Sequence, residues 1–424
     1  MGAVRETGAR WPLAAVCAYA MLIPVQPVFT MPDGSPLRFA AADALAPLVL
    51  AAGVFAPRRR VPMGLAGVTV AIPLLAMLST LLAWQERPLS QYALGKTAGL
   101  FYLVAVCLSA MRCLPPRSEP AVLRALARGT VLSAALGVAA FAGSFVGIET
   151  PLVSFGRLCG TMLGDPNIYC SLLAVGLLVV ATDAEASRFG RAVGVIILVL
   201  AILATGSRSG LVGVGAGVAV CGLVRSRDPW VGAVRGIVAG LAAVLVVAIV
   251  LSSGAGSAAG RALWDHTWRT WTVDSRFVLY ERAAQQWSEH PVMGLGIGGF
   301  NDLNAWDIDY HLGGHYAVHN TYLWALVDLG IGGGALITGC IAGGILVCAA
   351  AARRRTPPDG AGVIAAGLAT MAVFNLFVDG FYQRHFWVLM ACAFGIAAVP
   401  RPRPRVAWER SAGRPRPLAY SRAG

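Results

Sequence analysis

The stretch Gly314-His315-Tyr316-Ala317-Val318-His319-Asn320-Thr321-Tyr322-Leu323 closes a long polar segment, and directly after it the chain turns apolar at Trp324-Ala325-Leu326. Two imidazoles therefore stand where a loop meets a hydrophobic run long enough to enter a bilayer. An unperturbed imidazole titrates near pH ~6.5, so a histidine at such a boundary can take or give a proton at working pH. If the run after Leu323 is a membrane span, the other apolar runs are read as spans too. The segment before it is then their largest connecting loop.

Working outward, the totals agree. The 424 residues are 57% hydrophobic and only 13% charged, outside the range of soluble globular chains. About twelve apolar runs approach the ~20 residues a helix needs to cross a bilayer. They lie at roughly 11–30, 39–56, 62–84, 92–111, 129–148, 166–182, 190–206, 209–224, 233–253, 320–350, 361–378 and 385–399. The run at 320–350 is too long for one straight span, which predicts a break near Gly330 to Gly334. The expected fold class is all-α: a polytopic membrane protein of about twelve transmembrane helices with one larger extracytoplasmic loop, about 254–319. Residues 1–400 form a single membrane domain in this reading, and 401–424 a basic, disordered cytoplasmic tail.

The net charge of +13 has an ordinary source in such a protein. Arg58-Arg59-Arg60, Arg112, Arg117, Arg124, Arg128, Arg188, Arg191, Arg225, Arg353-Arg354-Arg355 and the arginines after Pro400 fall on one side when the spans alternate, as positive-inside topology requires. That places both termini in the cytoplasm and gives the tail a lipid-headgroup partner rather than nucleic acid. The first run is followed by many more, so it reads as a retained anchor and not a signal peptide. Nine cysteines form no CxxC pair, and redox chemistry is not indicated.

Several polar residues need an account in this setting. Asp165-Pro166-Asn167 is a helix-start signal, whereas Arg157 has no local partner to explain it. Arg208 lies in the short outer turn Thr205-Gly206-Ser207-Arg208-Ser209-Gly210, where a guanidinium beside backbone donors at helix ends suits a phosphate. In the large loop, Asp274-Ser275 reads as a helix cap, followed by Arg276, Tyr280, Ala283 and Trp287 on one helical face. The helix should end before His290-Pro291. Lys96, the only lysine, should snorkel outward from its span or line a cavity, and snorkelling is the favoured reading. All six histidines fall on the outer side in this topology, which suits chemistry done there.

Other patterns are decoys. Gly294-Leu295-Gly296-Ile297-Gly298-Gly299 matches G-x-G-x-x-G but lacks the strand–helix context of a dinucleotide site; it reads as a flexible turn that lets backbone approach a substrate. His311, His315 and His319 share an i, i+4, i+8 spacing, but Gly313-Gly314 interrupts the helix and no further ligand completes a metal shell. No metal and no cofactor are expected. A transporter would carry more carboxylates inside its spans than Asp328 and the border residue Asp379. What remains is Arg208, Arg276 and His319, with Arg157 as a fourth candidate. Two guanidinium groups fit a diphosphate and neutralise charge on a leaving group, and a neutral histidine can take the proton from an attacking hydroxyl.

At these residues the sequence resembles the O-antigen ligase and O-antigen polymerase family of polytopic membrane proteins. The segments GRLCGTMLGDPN, TGSRSG, SRFVLYERAAQQWSEHPVMGLGIGGF and HNTYLWALVDLGIGG carry the likeness in order, and with the span pattern it covers most of residues 90–400. The resemblance implies a metal-independent, inverting transfer of a glycan from an undecaprenyl-diphosphate carrier to a sugar hydroxyl at the outer face of the bacterial inner membrane. Arg208 and Arg276 match the arginines that engage the diphosphate, and His319 the histidine that activates the acceptor. The substrate-binding expectation falls on their neighbours Arg157, Asn167, Tyr280, His315 and Asn320. A lipid A–core ligase is the favoured reading; a polysaccharide polymerase with the same chemistry, or a lipid-glycan flippase, are the alternatives.

Overall fold

The structure is a computed structural model that describes residues 10–26, 28–30, 36–38, 40–56, 62–84, 90–154, 156–161, 165–226, 231–232, 271–304, 317–354 and 360–398. In chain order its helices are α1 (Arg10–Leu22), α2 (Ala41–Phe55), α3 (Met63–Ala83), α4 (Gln91–Cys113), α5 (Glu119–Ser144), α6 (Pro166–Thr182), α7 (Arg188–Thr205) and α8 (Arg208–Arg225). After them come α9 (Trp271–Glu289), the short α10 (Gly299–Asn304), α11 (Thr321–Ala352), α12 (Ala361–Phe374) and α13 (Arg384–Ala397). Two small antiparallel hairpins, β1 (Val28–Thr30) with β2 (Pro36–Arg38) and β3 (Val153–Ser154) with β4 (Arg157–Leu158), are the additions to the all-α expectation.

Six helices, α3, α4, α5, α7, α8 and α11, are long and apolar enough to cross a membrane; α1, α2, α6, α12 and α13 are apolar but shorter. Helices thus occupy eleven of the expected runs, while 233–253, most of the large loop and the tail 401–424 lie outside the described residues. Bounds differ where charge or proline misleads a hydropathy reading. The first run stops at Leu22 rather than near residue 30, because Pro24 and Pro27 cannot donate to a helical ladder. Helix α5 begins at Glu119, ahead of the apolar run, so Arg124 lies on a helix and pairs with Glu185 at 2.7 Å.

The break expected in the long run is real and sits at Gly330, where φ is 68° and ψ −170°. A break inside a membrane helix frees backbone groups that need new partners. Here the segment 291–300 supplies them. Leu295 N–H donates to the Val327 carbonyl (2.8 Å), Ile331 N–H to the Pro291 carbonyl (2.9 Å), and Ser79 Oγ to the carbonyls of Met293 and Asp328. The fully buried Asp328 carboxylate accepts from Gly298 N (2.8 Å), Phe300 N (3.1 Å) and the Trp324 indole (2.8 Å). The glycine-rich stretch is therefore not a flexible, substrate-facing turn. It is a packed wedge with Leu295, Ile297 and Phe300 buried, and its glycines serve positive φ and close approach to α11 at Gly294, α3 at Gly296 and α4 at Gly298.

Candidate active site

Helix-end chemistry sets most of the candidate side chains. Asp165 caps α6, its Oδ1 accepting from Asn167 N (2.9 Å) and Ile168 N (3.2 Å), as its local sequence requires. Helix α7 ends in a left-handed Gly206, and Ser207 caps α8 by accepting from Gly210 N at 3.2 Å. Arg208 is thereby fixed as the first residue of α8. Gly210 lets that end press against α6, since a Cβ there would stand 2.1 Å from Cys170 Sγ.

Arg157 has partners after all, and they are distant in sequence. Its Nε donates to the Thr205 carbonyl at 2.6 Å and its Nη2 to Asn167 Oδ1 at 3.1 Å. Thr205 is the last residue of α7, where carbonyls lack helical donors and the helix dipole is negative. A cation on the β3–β4 hairpin is a natural complement to that end. Sequence spacing could not show it, because the partner is a backbone oxygen 48 positions away.

Helix α9 begins at Trp271, so Asp274 and Ser275 lie inside it instead of capping it, and Arg276 sits beyond its first turn. A cap signal reports only local hydrogen-bonding capacity, and the helix runs through it. It ends at Glu289, before His290-Pro291 as expected. Leu279 and Ala283 bury its apolar face, with Tyr280 and Trp287 packed alongside. The Tyr280 hydroxyl donates to the carbonyls of His319 (3.3 Å) and Leu376 (3.1 Å).

His319 lies in the left-handed region at φ 53°, one of two non-glycine residues with positive φ among those described. Such a conformation is uncommon for a side-chain-bearing residue and is held by its surroundings. Val318 before it is buried. Asn320 after it caps α11, its Oδ1 accepting from Tyr322 N (3.0 Å) and Leu323 N (3.1 Å). Thr321 is bound to the segment after α12 by its N–H to the Asn375 carbonyl, its hydroxyl to Asn375 Oδ1 and the Val378 carbonyl, and Gly380 N–H to its Oγ1.

These elements converge. Arg276 is within electrostatic reach of Arg157, Arg208, Tyr280 and His319. Burial pushes the His319 imidazole below its ordinary value of 6.5 and Arg276 pushes it the same way, while Asp165 and Asp379 oppose them. Burial likewise lowers Arg157, which starts high enough to stay cationic, and raises Tyr280, which keeps its phenolic proton. The result is a neutral imidazole beside a cluster of guanidinium groups. Asn167 and Asn320 also face this region but have local work, orienting Arg157 and capping α11. His315 lies outside the described residues.

The family model described as O-antigen ligase matches residues 193–338, a stretch that contains Arg208, Arg276, Tyr280, His319 and Asn320. That match makes about a third of the chain similar to the O-antigen ligase family. No curated protein matches the chain. Arg157, Asn167 and the segment after α12 lie beyond the matched stretch and enter the site through the fold alone.

The parts played by two residues escaped the sequence reading. Asp165 was legible only as a cap, yet it also reaches His319. Lys96 does not snorkel outward: its Nζ stands 3.7 Å from Asp379 Oδ2 and over the Tyr382 ring at 4.1 Å. Pairing and an aromatic face meet the cost of holding an ammonium at that depth. The available signals were the uniqueness of the lysine and a carboxylate at an apolar border.

Proposed function

We propose that this protein is a metal-independent, inverting glycosyltransferase of the O-antigen ligase family. It moves a glycan from an undecaprenyl-diphosphate carrier to a sugar hydroxyl of a lipid A–core acceptor at the outer face of the inner membrane, with both termini cytoplasmic. The observation that carries this reading is the placement of Arg276 within reach of Arg157, Arg208 and His319 at once. Arg208 and Arg276 bind the diphosphate and neutralise the charge that grows on it as the glycosidic bond breaks. Arg157, held by Asn167 and the end of α7, adds to the same field. His319, kept neutral, accepts the proton of the attacking hydroxyl; a base so placed contributes roughly 10²–10⁴ in rate.

Two substitutions test the assignment. His319→Ala abolishes transfer and leaves binding of undecaprenyl diphosphate intact, whereas Arg276→Ala weakens that binding and transfer together. Transfer that persists in His319→Ala overturns the base; unchanged diphosphate affinity in Arg276→Ala removes it from the donor site. Activity lost to a chelator and restored by zinc overturns the metal-independent chemistry. Polymerisation is the alternative outcome: deletion leaving single repeats attached to the core indicates a polymerase, and deletion leaving bare core indicates the ligase.

A further inference from the structure

His319 joins two separate neighbourhoods. One is the guanidinium cluster around Arg276. The other is built on Asp379, which stands between Val378 and Gly380, the residues that bind Thr321 two positions from the imidazole. Asp379 is within electrostatic reach of His319, Tyr92, Lys96 and Tyr382. The charged neighbours of Lys96 and Tyr382 are Asp379 and Asp328, with the Tyr92 phenol beside them. The imidazole thus has a strongly cationic side and a side where Lys96 is matched by carboxylates.

The second neighbourhood has unused hydrogen-bonding capacity. Asp379 Oδ1 and the Tyr382 hydroxyl are buried atoms with no hydrogen-bond partner among the described residues. Buried polar atoms are otherwise almost always paired, so each such orphan asks for an explanation. Among the described residues Lys96 meets one carboxylate oxygen, at 3.7 Å, and the Tyr92 side chain, and an ammonium has three donors. The Lys96 and Asp379 side chains keep 27% and 16% of their surface accessible, so the cluster is reachable. Aromatic rings wall it: Lys96 lies over Tyr382 at 4.1 Å and Tyr92 at 5.4 Å, and Trp324 of α11 packs edge-on against Tyr382 at 5.4 Å.

We propose that Lys96, Asp379 and Tyr382 form the subsite for the acceptor sugar, and that the group bound there is an uncharged, polyhydroxylated ring. This rests on His319 acting as the base. A donor, an acceptor and a hydroxyl that can be either match vicinal sugar hydroxyls, and aromatic walls match the apolar faces of a pyranose. The Lys96–Asp379 pair carries no net charge, which disfavours a phosphorylated or acidic ring. The diphosphate belongs with the arginines, so a nucleophile held beside Asp379 reaches the imidazole from the other neighbourhood.

The test uses full-length protein in proteoliposomes, mixed with membranes from cells that lack it and so retain donor and acceptor. Diluting the acceptor-bearing membranes gives an apparent acceptor KM, and undecaprenyl diphosphate serves as the donor-site probe. Tyr382→Phe removes a hydroxyl with no hydrogen-bond partner among the described residues, so folding is unaffected; acceptor KM rises roughly 3- to 10-fold, the span of one hydrogen bond. Lys96→Met and Asp379→Asn each raise acceptor KM by a similar or larger factor, and all three variants bind undecaprenyl diphosphate as the parent does. If acceptor KM stays within two-fold in Tyr382→Phe and Lys96→Met, the subsite is wrong. An acceptor KM that falls in Asp379→Asn while Lys96→Met abolishes binding marks an anionic acceptor and overturns the neutral class. Failure of the base itself shows separately, as transfer surviving in His319→Ala.

Discussion

The Tyr280 hydroxyl shares its proton between the carbonyl oxygens of His319, at 3.3 Å, and Leu376, at 3.1 Å. One side chain on α9, a turn beyond Arg276, therefore ties the arginine's helix to the residue that carries the imidazole and to the segment that follows α12. The helix that carries Arg276 and the residue proposed as the base are held in register by this contact. Tyr280→Phe keeps the ring packing and deletes the tie. The expected result is a fall in kcat of roughly 3- to 10-fold, the range of a single hydrogen bond, with diphosphate binding unchanged. An unaltered kcat at saturating substrate removes Tyr280 from positioning the base.

In the proposed reaction the imidazole works deprotonated, and burial with Arg276 holds it below 6.5. The rate should therefore climb with pH through an apparent pKa below 6.5 and level off above it. Removing the cation moves that limb in a definite direction. Arg276→Gln takes away a charge that disfavours the imidazolium, so the imidazole holds its proton to higher pH and the acidic limb shifts upward. Rates measured at saturating donor between pH 5 and 8 decide it. A limb that stays put, or moves to lower pH, separates Arg276 from His319.

Backbone strain at His319 can be separated from its chemistry. The φ of 53° costs a side-chain-bearing residue about 1–2 kcal/mol relative to glycine. His319→Gly and His319→Ala should both lack transfer, but the glycine variant should melt higher than the alanine variant in detergent. Equal melting temperatures would mean that the left-handed conformation is not retained once the imidazole is gone.

How far the sequence spoke depends on whether a partner was local. Asp165 at α6, the end of α9 before Pro291 and the break at Gly330 all follow from residues within a turn of each other, and each was legible. Hydropathy located the helices, but it clipped the charged start of α5 and overran Leu22, since it weighs neither capping nor proline. The partners of Arg157 and Lys96 were hidden for one shared reason. Those partners, Thr205 and Asp379, lie far along the chain, and a cation with no neighbour in sequence looks solitary until the fold supplies one. The glycine-rich wedge failed differently: its glycines answered to α11, α3 and α4, which no local pattern contains.

The carboxylate of Asp328 is where that wedge is anchored. It is fully buried and accepts from two backbone N–H groups of the wedge and from the Trp324 indole. Asp328→Ala leaves all three donors buried without an acceptor, at about 1–3 kcal/mol apiece before the structure relaxes. Losses in one network are not additive, so a total of roughly 3–5 kcal/mol is the expected scale for breaking such a buried anchor. Asp328→Asn keeps one acceptor oxygen and should recover part of this. The wedge also connects α9 to α11, so loosening it should separate Arg276 from His319. Both variants should therefore lose transfer even at temperatures where they remain folded, and the pH limb of His319 in Asp328→Asn should move upward, as it does in Arg276→Gln. A destabilised Asp328→Asn with parental kcat and an unmoved pH limb would confine Asp328 to holding the broken helix together.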